Sequence, residues 1–253
     1  MLNRRHLLAG SAATLLGAGV TPRSLAQAVK KPVHIIVGFP AGGGTDVMAR
    51  VIGEALRGSY ASTVLVENKA GASARIAVEY VKNAEPDGSV MLFTPDFPIT
   101  LYPHSFKTLS YDPLKDFTPV APATSSMLSY NIGPAVPGNV KTLGEYLEWC
   151  KANPGKAAYA TTSAGATPHF AGVMLANESK VKLEPVHYRG GGPAIQDVVG
   201  GHIGASINPI GEAMPLYKAG SIRILAVTGA QRSPFMPDVP TMKAQGYNVV
   251  VES

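Results

Sequence analysis

Residues 37–50 read VGFPAGGGTDVMAR, and the fold class is decided there. The apolar run VHIIV (33–37) ends in this stretch, three consecutive glycines follow, and a helical pattern starts at Asp46. Val47, Val51, Ala55 and Met48, Ile52, Leu56 recur at four-residue spacing, which predicts a helix over 46–56. A strand that breaks into glycines and restarts as a helix is the opening of an α/β unit. It is also a place for an anion. The first helical turn carries unpaired N–H groups and the positive end of the helix dipole, and glycines let a ligand approach the backbone.

The same alternation continues along the chain. STVLVEN (62–68) reads as a strand, 73–84 as a helix stopped by Pro86-Asp87-Gly88, and SVMLFT (89–94) as a strand. From Pro95 to Val120 the pattern dissolves into prolines, aromatics and polar residues, which marks a boundary or a binding edge. Strands are then expected at 126–132, 157–162, 184–188, 203–207 and 222–228, with helices at 142–152, 168–177, 193–199 and 210–218. Tyr247 to Val251 reads as one more strand. The result is an α/β chain with mostly parallel sheets flanked by helices.

Two further corners resemble the opening one. The strand AAYATT runs into Ser163-Ala164-Gly165-Ala166-Thr167-Pro168-His169, with Thr167 placed as an N-cap and Pro168 at the first helical position. The strand EPVHY runs into Arg189-Gly190-Gly191-Gly192-Pro193. In parallel sheets such corners lie at the carboxyl ends of strands, where open α/β proteins bind ligands. Three of them, on two groups of strands, suggest a cleft.

What the motifs lack narrows the anion. Gly38 and Gly43 have P-loop spacing, but Gly44 stands where the lysine belongs. Gly42-x-Gly44 begins a dinucleotide fingerprint, but Val47 replaces its third glycine. Asp46 would repel a dianionic phosphate, yet could accept a hydrogen bond from a hydroxyl or amine. A small carboxylate held by backbone N–H groups fits better than a nucleotide. Catalytic constellations are thin: G-x-S-x-G, H-E-x-x-H and EF-hand loops are absent from the sequence. His34 and His187 lie in strand patterns, whereas His169 stands in a site corner and is either a ligand contact or a packed residue. Arg189 suits a ligand carboxylate or a structural ion pair equally.

The ends and the charge bound the setting. MLNRRH, the 14-residue apolar run LLAGSAATLLGAGV and the small-x-small stretch Ala26-Gln27-Ala28 form an export signal over 1–28. The apolar run is short of the about 20 residues a membrane span needs, and Arg4-Arg5 resembles a twin-arginine signal. Without that segment 19 basic and 17 acidic side chains remain, so the net +5 falls to +2 and nucleic acid is not expected as a partner. Cys150 is the single cysteine, which excludes an internal disulfide and a cysteine-rich metal site.

PVHIIVGFPAGGGTDVMARVIGEAL, VENKAGASARIAVEYVKNAEPDGSVML and YRGGGPAIQDVVGGHIGASINPIGEAMPLYKAGSIRILAVTGAQRSPFMPDVPTMKAQGY, in this order and spacing, resemble the Bug family, the periplasmic substrate-binding proteins of tripartite tricarboxylate transporters. The resemblance runs from about Pro32 to the end. It implies a two-lobed Venus-flytrap fold of type II that closes on a small carboxylate, held largely by main-chain groups, and that hands it to membrane permease subunits. The chain would be a periplasmic monomer, without cofactor or metal, and not an enzyme. Carried over by position, the ligand loops are Ala41, Gly42, Gly43, Gly44, Thr45 and Asp46 in the first lobe. In the second they are Ser163, Gly165, Thr167, Pro168 and His169, supported by Arg189, Gly190, Gly191 and Asn208. The lobes are expected at 29–125, completed by 236–253 and a further C-terminal segment that the family has, and at 126–235. The chain is thus expected to be a truncated copy or a fragment, with an exposed apolar face on the first lobe. After VENKAG the family pattern is glycine-rich, whereas this chain reads Ala72-Ser73-Ala74-Arg75-Ile76. Other readings are an exported hydrolase or transferase using Ser163, His169 and Asp46, a ligand sensor, and a non-functional remnant.

Overall fold

The computed structural model describes residues 29–252, so the stretch 1–28, read above as an export signal, lies outside the described residues. The strands form two sheets. In the first, β1 (Val33–Val37), β2 (Val64–Asn68) and β3 (Val90–Phe93) are parallel in the order β2-β1-β3. Parallel neighbours need crossovers, supplied by α1 (Gly44–Leu56) and α2 (Arg75–Lys82).

The apolar spacing of α1 gives its buried face only in part: Ile52 is half-buried and Leu56 packs against the core of this lobe. Val47 and Val51 are 50% and 61% exposed, while Asp46, Ala49 and Gly53 point inward. A Cβ added at Gly53 would already stand 3.5 Å from Ile35, Val64 and Val66. Small residues bring the helix close to the sheet, and close packing outweighs the larger apolar side chains at this surface. Other apolar side chains of this lobe, Leu65, Ile76 and Tyr80, are also exposed.

The region read as a loop holds two single-turn helices, α3 (Phe97–Thr100) and α4 (Tyr102–Ser105). Phe97 and Tyr102 are buried, and Phe39, Phe97, Tyr102 and Phe106 form a chain of aromatic contacts over the end of β1. Aromatic burial orders a segment that periodicity could not register.

The second sheet has the order β6-β5-β7-β4-β8: β4 (Leu128–Ile132), β5 (Ala158–Thr161), β6 (Glu184–His187), β7 (Ala205–Pro209) and β8 (Arg223–Val227). Strands β6, β5 and β7 are parallel, whereas β4 runs against both β7 and β8, so this sheet is mixed. All five residues of β4 are buried, and the strand is paired on both edges. Helices α5 (Leu143–Ala152), α6 (Thr167–Ser179), α7 (Gly191–Val199) and α8 (Ile210–Lys218) cover it. Thr142 and Glu145 close a capping box on α5, and Cys150 is a buried free thiol in the core.

Two expectations change at the C-terminal end. Residues 247–251 are irregular rather than a strand. Residues 236–251 also pack on the second sheet, not the first. Met242 and Val249 lie in its core, and the N–H groups of Met242 and Val251 donate to Val227 and Thr228 at the edge of β8. The exposed edge offers carbonyls that this segment satisfies.

Where the glycine-rich pattern is replaced, the backbone still takes a glycine-like path. Ala72, Ser73 and Ala74 have φ of 47°, 56° and 69°. Left-handed conformations cost a non-glycine residue about 1–2 kcal/mol. The Tyr102 hydroxyl donates to the Ser73 carbonyl at 3.0 Å and helps hold this path. Ser73→Gly is therefore expected to stabilise the protein by about 1 kcal/mol. Chemical denaturation that shows no gain would sink this account of the turn.

Candidate functional site

The three glycine-rich corners meet. Between them lies a cavity of about 290 Å³, lined by Gly42–Thr45 at the start of α1, Thr167 and Pro168 at the start of α6, and Gly190–Pro193 at the start of α7. Phe39, Phe97 and Leu128 give it apolar walls. A hollow of about 430 Å³ beside Trp149 touches none of these corners.

Each corner is built locally. At the first, Gly42 has φ +83°, open to glycine and strained for other residues. Its N–H donates to Asp46 Oδ2 at 2.9 Å. Arg50 donates through Nε to Oδ2 and through Nη2 to Oδ1, and Asn68 Nδ2 donates to Oδ1 and to the Phe39 carbonyl. The Asp46 side chain, 3% exposed, ties the loop to α1 and β2. Burial alone would raise this carboxyl, but the Arg50, Gly42 and Asn68 hydrogen bonds outweigh it and hold Asp46 below the ordinary carboxylate value. Sequence reasoning offered Asp46 to the ligand; the structure shows its oxygens committed within its own lobe, outside the cavity wall.

At the second corner α6 begins one residue earlier than expected. Ala166 is the N-cap without a side-chain bond, and Thr167 is the first helical residue with Pro168 behind it. Freed from capping, Thr167 Oγ1 is buried at the cavity with no partner among the described residues. Ser163 and Gly165 lie behind the wall. The Tyr102 hydroxyl reaches Ser163 Oγ at 3.4 Å and the Ala164 carbonyl at 3.5 Å, joining this loop to the first lobe. The Gly165 N–H donates to His169 Nδ1 at 3.2 Å, and the His169 and His187 rings meet edge to face. Burial, then the neighbouring His187, holds the His169 imidazole below its ordinary value. A neutral ring keeps Nδ1 as an acceptor.

At the third corner Gly190 and Gly191 face the cavity, whereas Arg189 is exposed and outside its wall. Asn208, fully buried at the end of β7, donates from Nδ2 to the Gly191 carbonyl at 3.1 Å and to Glu212 Oε2 at 3.0 Å. It braces the corner from behind rather than lining it.

Glu212, in the first turn of α8, is the wall residue that sequence reasoning missed. Its Oε1 accepts from the Gly44 N–H at 3.0 Å, so a carboxylate of the second lobe sits on the start of α1 in the first. As a residue it is partly exposed, but its carboxyl group is enclosed, and that burial pushes it above the ordinary value against the hydrogen bonds from Asn208 and Gly44. It is the only ionisable side chain in the described wall. The available signal was an acid four residues after Asn208, in a helix's first turn.

The geometry is that of a small, cation-free pocket closed by the starts of three helices. Residues 48–253 match the family model described as tripartite tricarboxylate transporter family receptor. The chain is 30% identical to protein BugT of Bordetella pertussis over 254 residues, which cover 100% of this chain and 77% of that protein. Among solved structures it is similar to R. palustris Rpa4515 with adipate, with a TM-score of 0.83 and 27% identity over 87% of this chain and 74% of that one. It is also similar to MatC (Rpa3494) from Rhodopseudomonas palustris with bound malate, with a TM-score of 0.79 and 28% identity over 87% and 75%. The chain belongs to the tripartite tricarboxylate transporter family receptors, the Bug proteins, solute-binding proteins with the α/β fold of periplasmic binding proteins.

Proposed function

We propose that this protein captures a small carboxylate in the cavity between its two lobes, 29–125 and 126–235, and delivers it to membrane permease subunits. The convergence of three helix starts on one cation-free pocket carries this reading. The positive ends of the helix dipoles attract a carboxylate there without a basic side chain. Thr167 Oγ1, buried and unpartnered, adds a polar contact. The adipate and malate seen in structures similar to this chain support the ligand class.

The lobes already touch around the cavity: a Cβ at Gly190 would stand 3.3 Å from Pro40 Cδ. Ligand would favour this closed arrangement, because only closure completes contacts from both sides. The permease would then recognise the closed form. Export to the periplasm follows from the signal over 1–28, and the protein acts as a monomer. An enzymatic reading finds little support. Ser163 Oγ is approached by the Tyr102 hydroxyl, His169 Nδ1 accepts from Gly165, and Asp46 is held by Arg50 and Asn68.

A thermal-shift panel of mono- and dicarboxylates, hydroxy acids and amino acids tests the reading. At a hundredfold excess over Kd a ligand stabilises by about 2.7 kcal/mol, which should raise Tm by about 5–10 °C for a chain of this size. A folded sample that responds to no carboxylate would remove the proposal.

A further inference from the structure

We infer that Glu212 sets the ligand class of the cleft: it fills the anion position at the start of α1 with the protein's own carboxylate, so the ligand must bring a hydroxyl or ammonium to that end and its carboxylate to the other. The inference rests on the carboxylate cleft proposed above and narrows it.

Four observations carry it. Glu212 Oε1 accepts the Gly44 N–H and Oε2 accepts from Asn208, so the carboxylate is held from two sides. The fit is built in, because a Cβ at Gly191 would lie 1.7 Å from Oε2 and one at Gly44 would lie 3.0 Å from Oε1. Glu212 therefore lies against the starts of both α1 and α7. The start of α6 keeps its anion-binding character, with Thr167 Oγ1 buried, unpartnered and in the wall. The described wall has no lysine, arginine or histidine to neutralise a second negative charge.

The chemistry follows from the charges. A ligand carboxylate near α6 finds the positive end of the helix dipole and the Thr167 hydroxyl. A second ligand carboxylate at the α1 end would meet Glu212 in a partly desolvated pocket, where like charges repel strongly. A hydroxyl or ammonium there donates to an acceptor that burial leaves undersolvated, and a site built around a hydrogen bond discriminates against analogues that cannot make it.

The test is calorimetric titration of the full chain with two matched series. One is succinate, 4-hydroxybutyrate and 4-aminobutyrate; the other is adipate, 6-hydroxyhexanoate and 6-aminohexanoate. In the wild type a hydroxy or amino acid should bind at least tenfold more tightly than the dicarboxylate of its series. Glu212→Gln, which removes the charge and keeps the shape, should shift that ratio at least tenfold toward the dicarboxylate. A dicarboxylate that binds the wild type best in both series overturns the inference without any variant. So does a ratio that Glu212→Gln moves by less than threefold. If the wild type binds none of the six but a carboxylate of the thermal-shift panel stabilises it, the Glu212 assignment fails alone; if it responds to neither set, the carboxylate cleft fails with it.

Discussion

Gly191→Ala is expected to lower stability by about 2–3 kcal/mol, the cost of displacing a hydrogen-bonded buried carboxylate. The new Cβ would stand 1.7 Å from Glu212 Oε2 and 2.5 Å from its Cδ. Asn208 and the Gly44 N–H hold that carboxylate from other sides, so it cannot move without losing them. For a chain of this length Tm should fall by roughly 4–12 °C. The cause can be isolated in a double-mutant cycle by denaturant titration. In a Glu212→Ala background the clash is gone, and Gly191→Ala should cost less than about 1 kcal/mol, leaving a coupling near 2 kcal/mol. Additive losses would show that the glycine does not serve the carboxylate.

Gly133→Ala should act on the opposite end of the same helix. A Cβ there would lie 2.1 Å from the Val198 carbonyl oxygen and 2.8 Å from Val198 Cγ1. The carbonyl belongs to the last turn of α7, and Gly133 is itself tied to Gly204 by its N–H. A backbone atom cannot step aside like a side chain, so α7 must move. Overpacking of this kind costs about 3 kcal/mol or more, a fall in Tm of roughly 6–12 °C. Because α7 begins in the cavity wall, the affinity for the best carboxylate of the thermal-shift panel should weaken as well. A stability loss under about 1 kcal/mol would mean that the helix seat is softer than its geometry indicates.

The strands were legible because β-branched runs with turn signals between them are local patterns. Each of β1 to β8 lies within, or overlaps, a segment read from the sequence. The inward face of α1 was legible only in part, through Leu56. Four-residue apolar spacing pointed to Val47 and Val51, but the sheet accepted the small residues Ala49 and Gly53. The helices α3 and α4 escaped because one turn has no period, and their aromatic packing includes the distant Phe39. The 247–251 segment has strand composition, yet its Val249 is needed as a core plug and Val251 as an edge donor.

By itself the sequence determined that glycine-rich corners would join strands to helix starts, and the missing lysine and third glycine at 37–50 argued against a nucleotide. Those conclusions needed only neighbouring residues and the chemistry of a helix start. Only the tertiary structure decided which residues form the wall. It turned Asp46 inward to Arg50 and Asn68, left Arg189 outside, and carried Glu212 across from the second lobe onto Gly44. Gly44 and Glu212 are 168 positions apart. No local pattern records that distance, because folding of the two lobes against each other creates the contact.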